Sequence, residues 1–469
     1  MAEFLRVKPM RVRRRIWALT VGGWAALALV APATRGAIGS SPSAAPFGGS
    51  DGLARVVDRM QAAGPERSTP GDDVRNFEVL GHHDLGGSGF NADVWVHGST
   101  AYVGVWGRDP DQDVACPATG VKVVDIGDPT APVLLGVLQN PELTTGEDVV
   151  VRAVSTETFT GDLAVVGIQA CGGYREVFRG LQFFDVTDPS HPVELGSWEA
   201  QYPTIGCHEV DLTVTAGGRV LAGCSIPFAE QYDAGIPVVI VDATDPNAPV
   251  KVGTYTNLVP KGIGCISYTL AHSVRFAGRG KRLYVSYWDA GTIELDVSDP
   301  SHPVEVARTE IAPPDEDANN HSLTDVAGRW LIMNPEDFSP DDCGDQFGGW
   351  GEAWLYERRN GPTRLLGSFA TRNSQSTNTD GVYTVHNTEV WGTTEAFSSW
   401  YSDGIQWWTF TTSGRTRSKG WFVPPATPDP NGYWPEVPLV WGVAVQPRQD
   451  LVLASDINSG LWILRPIGL

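Results

Sequence analysis

The sequence predicts an all-β fold: a single seven-bladed β-propeller of four-stranded antiparallel blades, closed by its N-terminal strand. Three observations support this prediction. The composition, with 42% hydrophobic and 19% charged residues, is that of a globular protein. A strand-and-turn motif recurs at spacings of 60, 57 and 54 residues, which suits a four-stranded blade with generous loops. Two further strands are predicted before each copy of the motif.

Residues 1–33 have the layout of a secretory signal peptide. Several arginines and a lysine lie within residues 1–15, an uncharged apolar run follows over residues 16–33, and Ala31 and Ala33 offer an A-x-A cleavage site. The sequence therefore predicts a secreted or extracytoplasmic protein, including one held at the cell surface. Membrane attachment would come only through an uncleaved signal segment, because the run is near the lower length limit of a spanning helix. General and twin-arginine export both stay open.

Residues 34–75 predict a flexible linker, because they are rich in Ala, Gly, Ser and Pro, with room for one short amphipathic helix at residues 53–60. The propeller is expected over residues 76–469. The whole chain has 34 Lys plus Arg against 55 Asp plus Glu, a formal net charge of -21. Such a surface repels phosphate backbones, so nucleic acid is excluded as a partner.

The recurring motif is an apolar strand, Asp, two residues, Asp-Pro, two residues, Pro and a second apolar strand. Its four copies span residues 121–132, 181–192, 238–249 and 292–303. The aspartates suit a tight turn because they accept backbone hydrogen bonds, and the first proline presets the next turn position. The second proline falls at the start of an outermost strand, where an N–H is not needed.

Seven units of this kind are predicted. Their first strands begin near Asp93, Asp148, Glu209, Ser273, Ser322, Asn387 and Gly442. The fifth and sixth units lack the Asp-Pro turn, and the seventh ends after residues 461–464, too early for a fourth strand. Residues 77–81 resemble residues 132–136 and are predicted to supply that strand, which removes the exposed edges of the ring.

The strand and turn resemble the LVIVD repeat of bacterial and archaeal exported or cell-surface proteins. Val238-Val239-Ile240-Val241-Asp242 is the copy most like it, and the resemblance extends over most of residues 77–466. It implies a β-propeller. It implies no agreed activity and no catalytic residues, so the catalytic residues stay unknown and function must be argued from the site.

One register position of the first strands is rich in histidine. Aligning the seven units places these residues in one ring: Ala92, Glu147, His208, His272, His321, His386 and Trp441. The four histidines are candidate ligands of one transition metal ion (iron, copper or zinc), with Glu147 and Glu209 as partners of their second ring nitrogens. The alternative is that polar residues at this position only line a wet channel.

The ends of the second strands are expected at the same mouth of the channel. They carry a candidate set for binding a hard cation, a sugar or a basic peptide: Asp289, Glu336, Asp337, Asp403, Asp456, Trp288, Trp400 and Tyr401. For most of these residues turn capping or packing between blades is the competing interpretation. Glu336 and Asp337 stand apart, because a long insertion follows them.

Six cysteines in an exported chain are compatible with three disulfides. Cys207 and Cys224 lie at facing ends of two paired strands, so a bond between them is predicted. Cys116 and Cys171 lie in loops of neighbouring blades and are predicted to form a second bond. Cys265 and Cys343 then remain as the third pair. Thiolate metal ligation is the rival interpretation, but the chain has no C-x-x-C motif.

Two functions remain on the sequence alone. The first is a binding or scaffold protein that holds an unknown protein, peptide or glycan at the channel mouth, most simply as a monomer. The second is a metal-dependent enzyme, an oxygenase or hydrolase, with a four-histidine site on the propeller axis. The first assumes less, and whether the protein is an enzyme at all stays undecided at this stage.

Overall fold

A computed structural model describes the chain over residues 73–107, 120–171, 177–201, 204–227, 236–256, 270–288, 290–309, 320–337, 350–359, 361–376, 380–430, 432 and 434–469. Regular structure in these ranges is entirely β, in seven antiparallel sheets of four or five strands. The predicted seven-bladed propeller is confirmed. The predicted signal peptide and nearly all of the linker lie outside the described residues. No helix long and apolar enough to cross a membrane occurs in the ranges above.

In blades 1 to 6 the four strands run from the channel outwards in the order of the chain, and the first three strands of blade 7 do the same. The strands of blades 1 to 3 are Asn91–His97, Thr100–Val105, Val121–Asp125 and Val133–Leu138; Val149–Ser155, Thr160–Ala170, Gly180–Asp185 and Val193–Glu199; and Val210–Val214, Val220–Ser225, Val238–Asp242 and Val250–Tyr255. Those of blades 4 and 5 are Leu270–Ala277, Arg282–Trp288, Gly291–Asp296 and Val304–Arg308; and Asn320–Val326, Trp330–Pro335, Ala353–Arg359 and Gly361–Phe369. Blade 6 has Thr388–Trp391, Glu395–Ser399, Ile405–Phe410 and Thr416–Phe422, and blade 7 has Val440–Gln446, Leu451–Asp456 and Gly460–Pro466.

The N-terminal strand Phe77–His83 pairs antiparallel with Gly460–Pro466 and forms the outer strand of blade 7. The pairing joins the two ends of the propeller through backbone hydrogen bonds. Two short strands were not predicted. Thr144–Thr145 pairs with the second strand of blade 2, and Val74–Arg75 adds a fifth strand to blade 6, inside the predicted linker.

Hydrogen bonds cross every seam between neighbouring blades. From the blade 1–2 seam to the blade 7–1 seam the donor and acceptor pairs are Val105 N to Gly146 O, Val210 N to Asp148 Oδ2, Phe276 N to Asp211 Oδ2, Asn320 Nδ2 to Thr292 Oγ1, Ser322 Oγ to His386 O, Ser399 Oγ to Trp441 O, and Asn91 N to Ile457 O. The innermost strands are therefore held at fixed spacing around the channel, which positions the side chains at their starts.

The Asp-Pro turns have the chemistry that the sequence predicts. In the first copy, Gly127 N donates to Asp125 Oδ1 at 2.8 Å and Thr130 N donates to Asp128 Oδ1 at 3.0 Å. The other three copies repeat both bonds, at Asp185 and Asp188, Asp242 and Asp245, and Asp296 and Asp299. Each turn is thus stabilised locally, before any contact with another blade.

Three of these four turns dock onto a glycine in the outer strand of the preceding blade. A Cβ at Gly253 of blade 3 would lie 1.8 Å from Pro300 O in the turn of blade 4. Gly81 and Gly196 face Pro129 O and Pro246 O in the same way, at 2.3 and 2.6 Å. A side chain at these positions would force neighbouring blades apart, so the glycines maintain the close approach of the blades.

We expect Gly253→Ala to lower the free energy of unfolding by about 3 kcal/mol, because the added methyl meets backbone that cannot move without separating two blades. Gly136 occupies the corresponding strand of blade 1, where a Cβ would meet nothing within 4 Å. Gly136→Ala is therefore the matched control, with an expected change within about 0.5 kcal/mol. Urea denaturation of both variants checks this, and equal effects would contradict the docking role of Gly253.

The disulfide predicted between Cys207 and Cys224 is confirmed, and both cysteines are fully buried in blade 3. Cys171 is also disulfide-bonded, but its predicted partner Cys116 lies outside the described residues, as do Cys265 and Cys343. Bonded cysteines are consistent with an oxidising compartment.

Replacing Cys207 and Cys224 by alanine is expected to cost about 3 kcal/mol of unfolding free energy, since the bond closes a loop of 17 residues in the unfolded chain. Equilibrium denaturation of the double variant under oxidising conditions measures the loss. The parent protein treated with reductant provides the comparison, and a double variant as stable as the oxidised parent would refute the expectation.

Candidate functional site

The ring position predicted from sequence coincides with β-bulges. The register between the first two strands shifts around Ala92 and Asp93 in blade 1, His272 in blade 4, His321 in blade 5 and Trp441 in blade 7. A bulge leaves a residue without a ladder partner and re-aims its side chain. In four of the seven blades a bulge therefore aims the ring side chain, whereas His208 and His386 lie just before the first strands of blades 3 and 6, which begin at Val210 and Thr388.

The four histidines form a continuous arc across blades 3 to 6, which we call the histidine arc. Neighbouring ring centres are 4.4 Å apart for His208 and His272, 4.1 Å for His272 and His321, and 3.9 Å for His321 and His386. The Nε2 atoms of His208 and His272 face each other at 3.0 Å. All four residues are buried, with exposures from 0% to 9%.

Three glutamates interleave with the arc. Glu147 Oε2 lies 2.5 Å from His208 Nδ1. Glu209 Oε1 lies 3.7 Å from both His272 Nδ1 and His321 Nε2. Glu336 places Oε2 at 3.8 Å from His321 Nε2 and Oε1 at 3.7 Å from His386 Nε2.

Two of these glutamates complete groups of three donors. Glu209, His272 and His321 form one triad and His321, Glu336 and His386 form the other, each with ligand atoms within 4.8 Å of one another. Donors about 2.0–2.2 Å from a tetrahedrally coordinated ion lie about 3.4 Å apart, close to the distances seen here. The donor set and its spacing therefore fit a transition metal.

Burial lowers the pKa values of His272, His321 and His386 well below the usual histidine value, and the neighbouring imidazoles lower them further. These rings are therefore neutral near pH 7, the form that binds metal. Among the described residues, Nδ1 of His272 and His321 and both nitrogens of His386 make no hydrogen bond of good geometry. The backbone of the next blade, at His321, His386 and Trp441, is close enough to raise the pKa of the three rings, against the larger lowering by burial. Buried nitrogens without a well-formed hydrogen bond are costly unless something binds them.

Carboxylates in the channel are buried in the same way as the histidines. Burial raises the pKa of Glu209, and the nearby Asp93, Asp148 and Glu147 add to the rise. Burial also raises the pKa of Glu336, although Tyr401 Oη donates a short hydrogen bond to Glu336 Oε1. A bound divalent cation would lower the pKa of both glutamates, because it compensates the negative charge of their buried carboxylates.

The other mouth residues fall into two groups. Glu336, Tyr401 and Trp288 adjoin the histidine arc: Tyr401 lies 5.3 Å from His386 and Trp288 lies 5.4 Å from His272, between ring centres. The remaining described residues have other contacts. Trp400 packs between blades 5 and 6 and donates to Tyr383 O, and Asp456 accepts from Ser459 N in the turn that follows it. The backbone oxygen of Asp337 accepts from Gly351 N, and Asp403 Oδ1 accepts from Asn373 Nδ2. Asp289 lies outside the described residues.

Sequence reasoning missed the wall that completes the ring. Trp441 lies 4.6 Å from His386 and 5.0 Å from Trp106, which in turn lies 5.7 Å from Trp434, between ring centres. Gln169 was also missed, and its Oε1 is 3.1 Å from His208 Nδ1. Trp441 stood at the ring position in the alignment. Trp106 and Gln169 lie at the ends of the second strands Thr100–Val105 and Thr160–Ala170, the register that supplied the other mouth residues, whereas Trp434 lies in a loop with no such signal.

Asp403 gives a pH-dependent prediction, because burial raises its pKa to about 6. A raised carboxyl pKa means that the folded state binds more protons, so stability falls as pH rises from about 4 to about 6. The loss from this group is about 3 kcal/mol, the equivalent of a shift of about two pH units. We therefore expect Asp403→Asn to gain stability relative to the parent as pH rises over this range.

Asp299 is the control of opposite sign. Hydrogen bonds from Ser301 lower the pKa of this exposed carboxyl, so its contribution is present above pH 4 and is lost on acidification. Asp299→Asn should therefore lose stability relative to the parent as pH rises. Urea denaturation from pH 2 to pH 7 checks both signs, and parallel profiles for the parent and Asp403→Asn between pH 4 and pH 6 would contradict the expectation.

These features define a β-propeller with a buried histidine and glutamate cluster on its axis. The chain carries LVIVD repeats, whose sequence model matches residues 114–139 and 277–310. No curated protein matches the sequence.

One solved structure shares its fold, and two others resemble it more weakly. The β-propeller domain of Myceliophteria thermophila Cps50 (Swd1) is 12% identical, with a TM-score of 0.51, over 81% of this chain and 98% of that one. A putative 6-phosphogluconolactonase from Bacteroides fragilis is 12% identical, with a TM-score of 0.48, over 83% and 89% of the two chains. A mitotic checkpoint complex chain is 12% identical, with a TM-score of 0.48, over 86% and 96%. At such identities the likeness concerns fold alone.

Proposed function

We propose that this protein is an exported binding protein whose propeller axis holds transition metal, of the iron, copper or zinc class. The observation that carries the proposal is the set of buried histidine nitrogens that face carboxylates at 3.7–3.8 Å and make no well-formed hydrogen bond among the described residues. The backbone of the neighbouring blade is the competing partner of these rings, and a buried polar atom left unsatisfied costs about 1–3 kcal/mol. Bound metal satisfies these nitrogens together.

The residues expected to hold metal are those of the histidine arc, with Glu209 and Glu336 between them. Glu147 and Gln169 lie beside His208 Nδ1, where they would fix the orientation of that ring for binding through Nε2. From the sequence, Glu209 was predicted to hydrogen-bond to a histidine that binds the metal. We propose instead that Glu209 binds the metal itself, because its Oε1 lies 3.7 Å from a nitrogen of each of two histidines, a distance expected between two ligands of one ion.

Binding is favoured over turnover because the site is closed. His321 and His386 are 1% and 0% exposed, and Trp288, Trp441 and Tyr401 pack against the arc. Catalytic metal sites keep a coordination position open to substrate. A buried ion instead stabilises the channel mouth, whose loops would then present a fixed surface to a protein, peptide or glycan partner.

Export follows from the signal-like segment at residues 1–33 and is supported by the Cys207–Cys224 disulfide. The metal would then be acquired outside the cytoplasm or during export of the folded chain.

Elemental analysis by mass spectrometry of the purified mature protein tests the proposal, beside a variant with His272→Asn and His321→Asn. We expect transition metal in the parent and none in the variant. A second variant with His191→Asn and His302→Asn is the control, because these side chains are 83% and 82% exposed in surface turns. Circular dichroism verifies folding, and a parent without metal after reconstitution with iron, copper and zinc would overturn the proposal.

A further inference from the structure

The spacing of the histidine arc does not suit one ion bound by all four rings. Neighbouring ring centres are 3.9 to 4.4 Å apart on four successive blades of a seven-bladed ring. Seven equal positions spaced by about 4 Å lie on a circle of radius about 4.7 Å, which puts the first and fourth rings about 9 Å apart.

A single ion cannot span that distance. An imidazole nitrogen is about 1.1 Å from its ring centre and about 2.0–2.1 Å from a bound metal, so two rings on one ion have centres at most about 6.4 Å apart. His208 and His386, at the two ends of the arc, therefore belong to different ions if both bind metal.

The glutamates divide the arc in the same way. Glu209 lies between His272 and His321, and Glu336 lies between His321 and His386. Each triad thus has one carboxylate and one histidine of its own, and His321 stands where the triads meet. Mixed carboxylate and imidazole donors suit first-row transition metals.

The charge of the channel also favours two ions over one. Arg152 pairs with Asp211 at 3.7 Å and Arg275 pairs with Glu389 at 3.5 Å, which leaves five neighbouring carboxylates: Glu147, Glu209, Glu336, Asp93 and Asp148. Fully ionised, these five carry five negative charges; one divalent ion would offset two of them and two ions would offset four, in place of the protons that burial favours on Glu209 and Glu336. Uncompensated buried charge is costly, so a second cation is favoured.

We propose that the axial cluster is a dinuclear site, with one divalent transition metal ion held by Glu209 and His272, a second held by Glu336 and His386, and His321 between them bonded to one of the two. The inference rests on the proposed metal-binding function and gives it a stoichiometry. His321 Nε2 bonds one of the two ions, and the other ion completes its shell with a carboxylate oxygen or water. His208 extends the first triad through its contact with His272.

The test measures the native protein first, so that it does not depend on a variant that folds. The metal-free protein is reconstituted with Co²⁺ and, separately, with Cu²⁺, and the bound metal per chain is determined after gel filtration. We expect two ions per chain and, for Cu²⁺, an exchange-coupled electron paramagnetic resonance spectrum. One ion per chain with an uncoupled spectrum overturns the dinuclear inference while leaving the proposed function intact. No bound ion overturns the proposed function itself.

Two variants then separate the triads. Glu209→Gln and Glu336→Gln should each bind one ion per chain, and the coupled spectrum should be lost in both. Glu305→Gln, which changes a surface carboxylate paired with Arg308, should keep two ions and serves as the matched control. A Glu209→Gln protein and a Glu336→Gln protein that both retain two ions, or both bind none while folded, would contradict the division into triads.

Discussion

A chain that lacks residues 77–83 is expected to lose its cooperative native state. The strand Phe77–His83 is the outer strand of blade 7, and its removal leaves Gly460–Pro466 as an unpaired edge. Phe77 is 5% exposed and packs 5.8 Å from Trp407 and 6.2 Å from Phe397, between ring centres, so its burial between blades is lost as well. The combined loss exceeds the marginal stability of about 5–15 kcal/mol typical of globular proteins.

Thermal unfolding followed by near-ultraviolet circular dichroism measures this effect. A chain that begins at residue 73 retains the strand and is the matched control, with an unfolding transition like that of the parent. Phe77→Ala, expected to cost about 3–5 kcal/mol, isolates the contribution of the aromatic anchor. A synthetic peptide of residues 73–84 should restore the transition of the shortened chain, and an unchanged transition without any peptide would refute the prediction.

Metal loading is expected to produce the second large effect. Zn²⁺ at about a thousand times its dissociation constant should raise the free energy of unfolding of the metal-free protein by about 4 kcal/mol, because the ion binds the folded state alone. The unfolded chain separates donors from blades 3 to 6 and cannot hold the ion in the same way. Urea denaturation with and without Zn²⁺ measures the difference.

The variant with His272→Asn and His321→Asn should show no such rise, whereas the variant with His191→Asn and His302→Asn should show all of it. Without metal, Glu336→Gln should be at least as stable as the parent, because it removes a buried charge whose described neighbours are Tyr401 and two neutral histidines. A parent whose stability does not respond to Zn²⁺, Co²⁺ or Cu²⁺ would contradict the prediction.

The blade architecture was predictable because it is encoded locally. Each Asp-Pro turn forms these hydrogen bonds within six residues of chain, and the apolar run before it identifies its strand without reference to the rest of the fold. The two short strands, Val74–Arg75 and Thr144–Thr145, were not predictable, because they owe their pairing to blades already in place. The docking of turns onto Gly81, Gly196 and Gly253 likewise depends on the distance between blades.

The candidate site was likewise predictable only where its residues follow from the repeat. The sequence by itself determined the repeat, the pairing of Cys207 with Cys224 and the register that places four histidines at one position, because a repeat carries each residue to an equivalent place. Only the tertiary structure decided that Glu336 and Tyr401 join the histidines, that Trp400 and Asp456 do not, and that Trp441 and Trp106 close the ring. Those contacts join residues far apart in the chain, and their distances follow from how far apart seven packed blades hold their innermost strands.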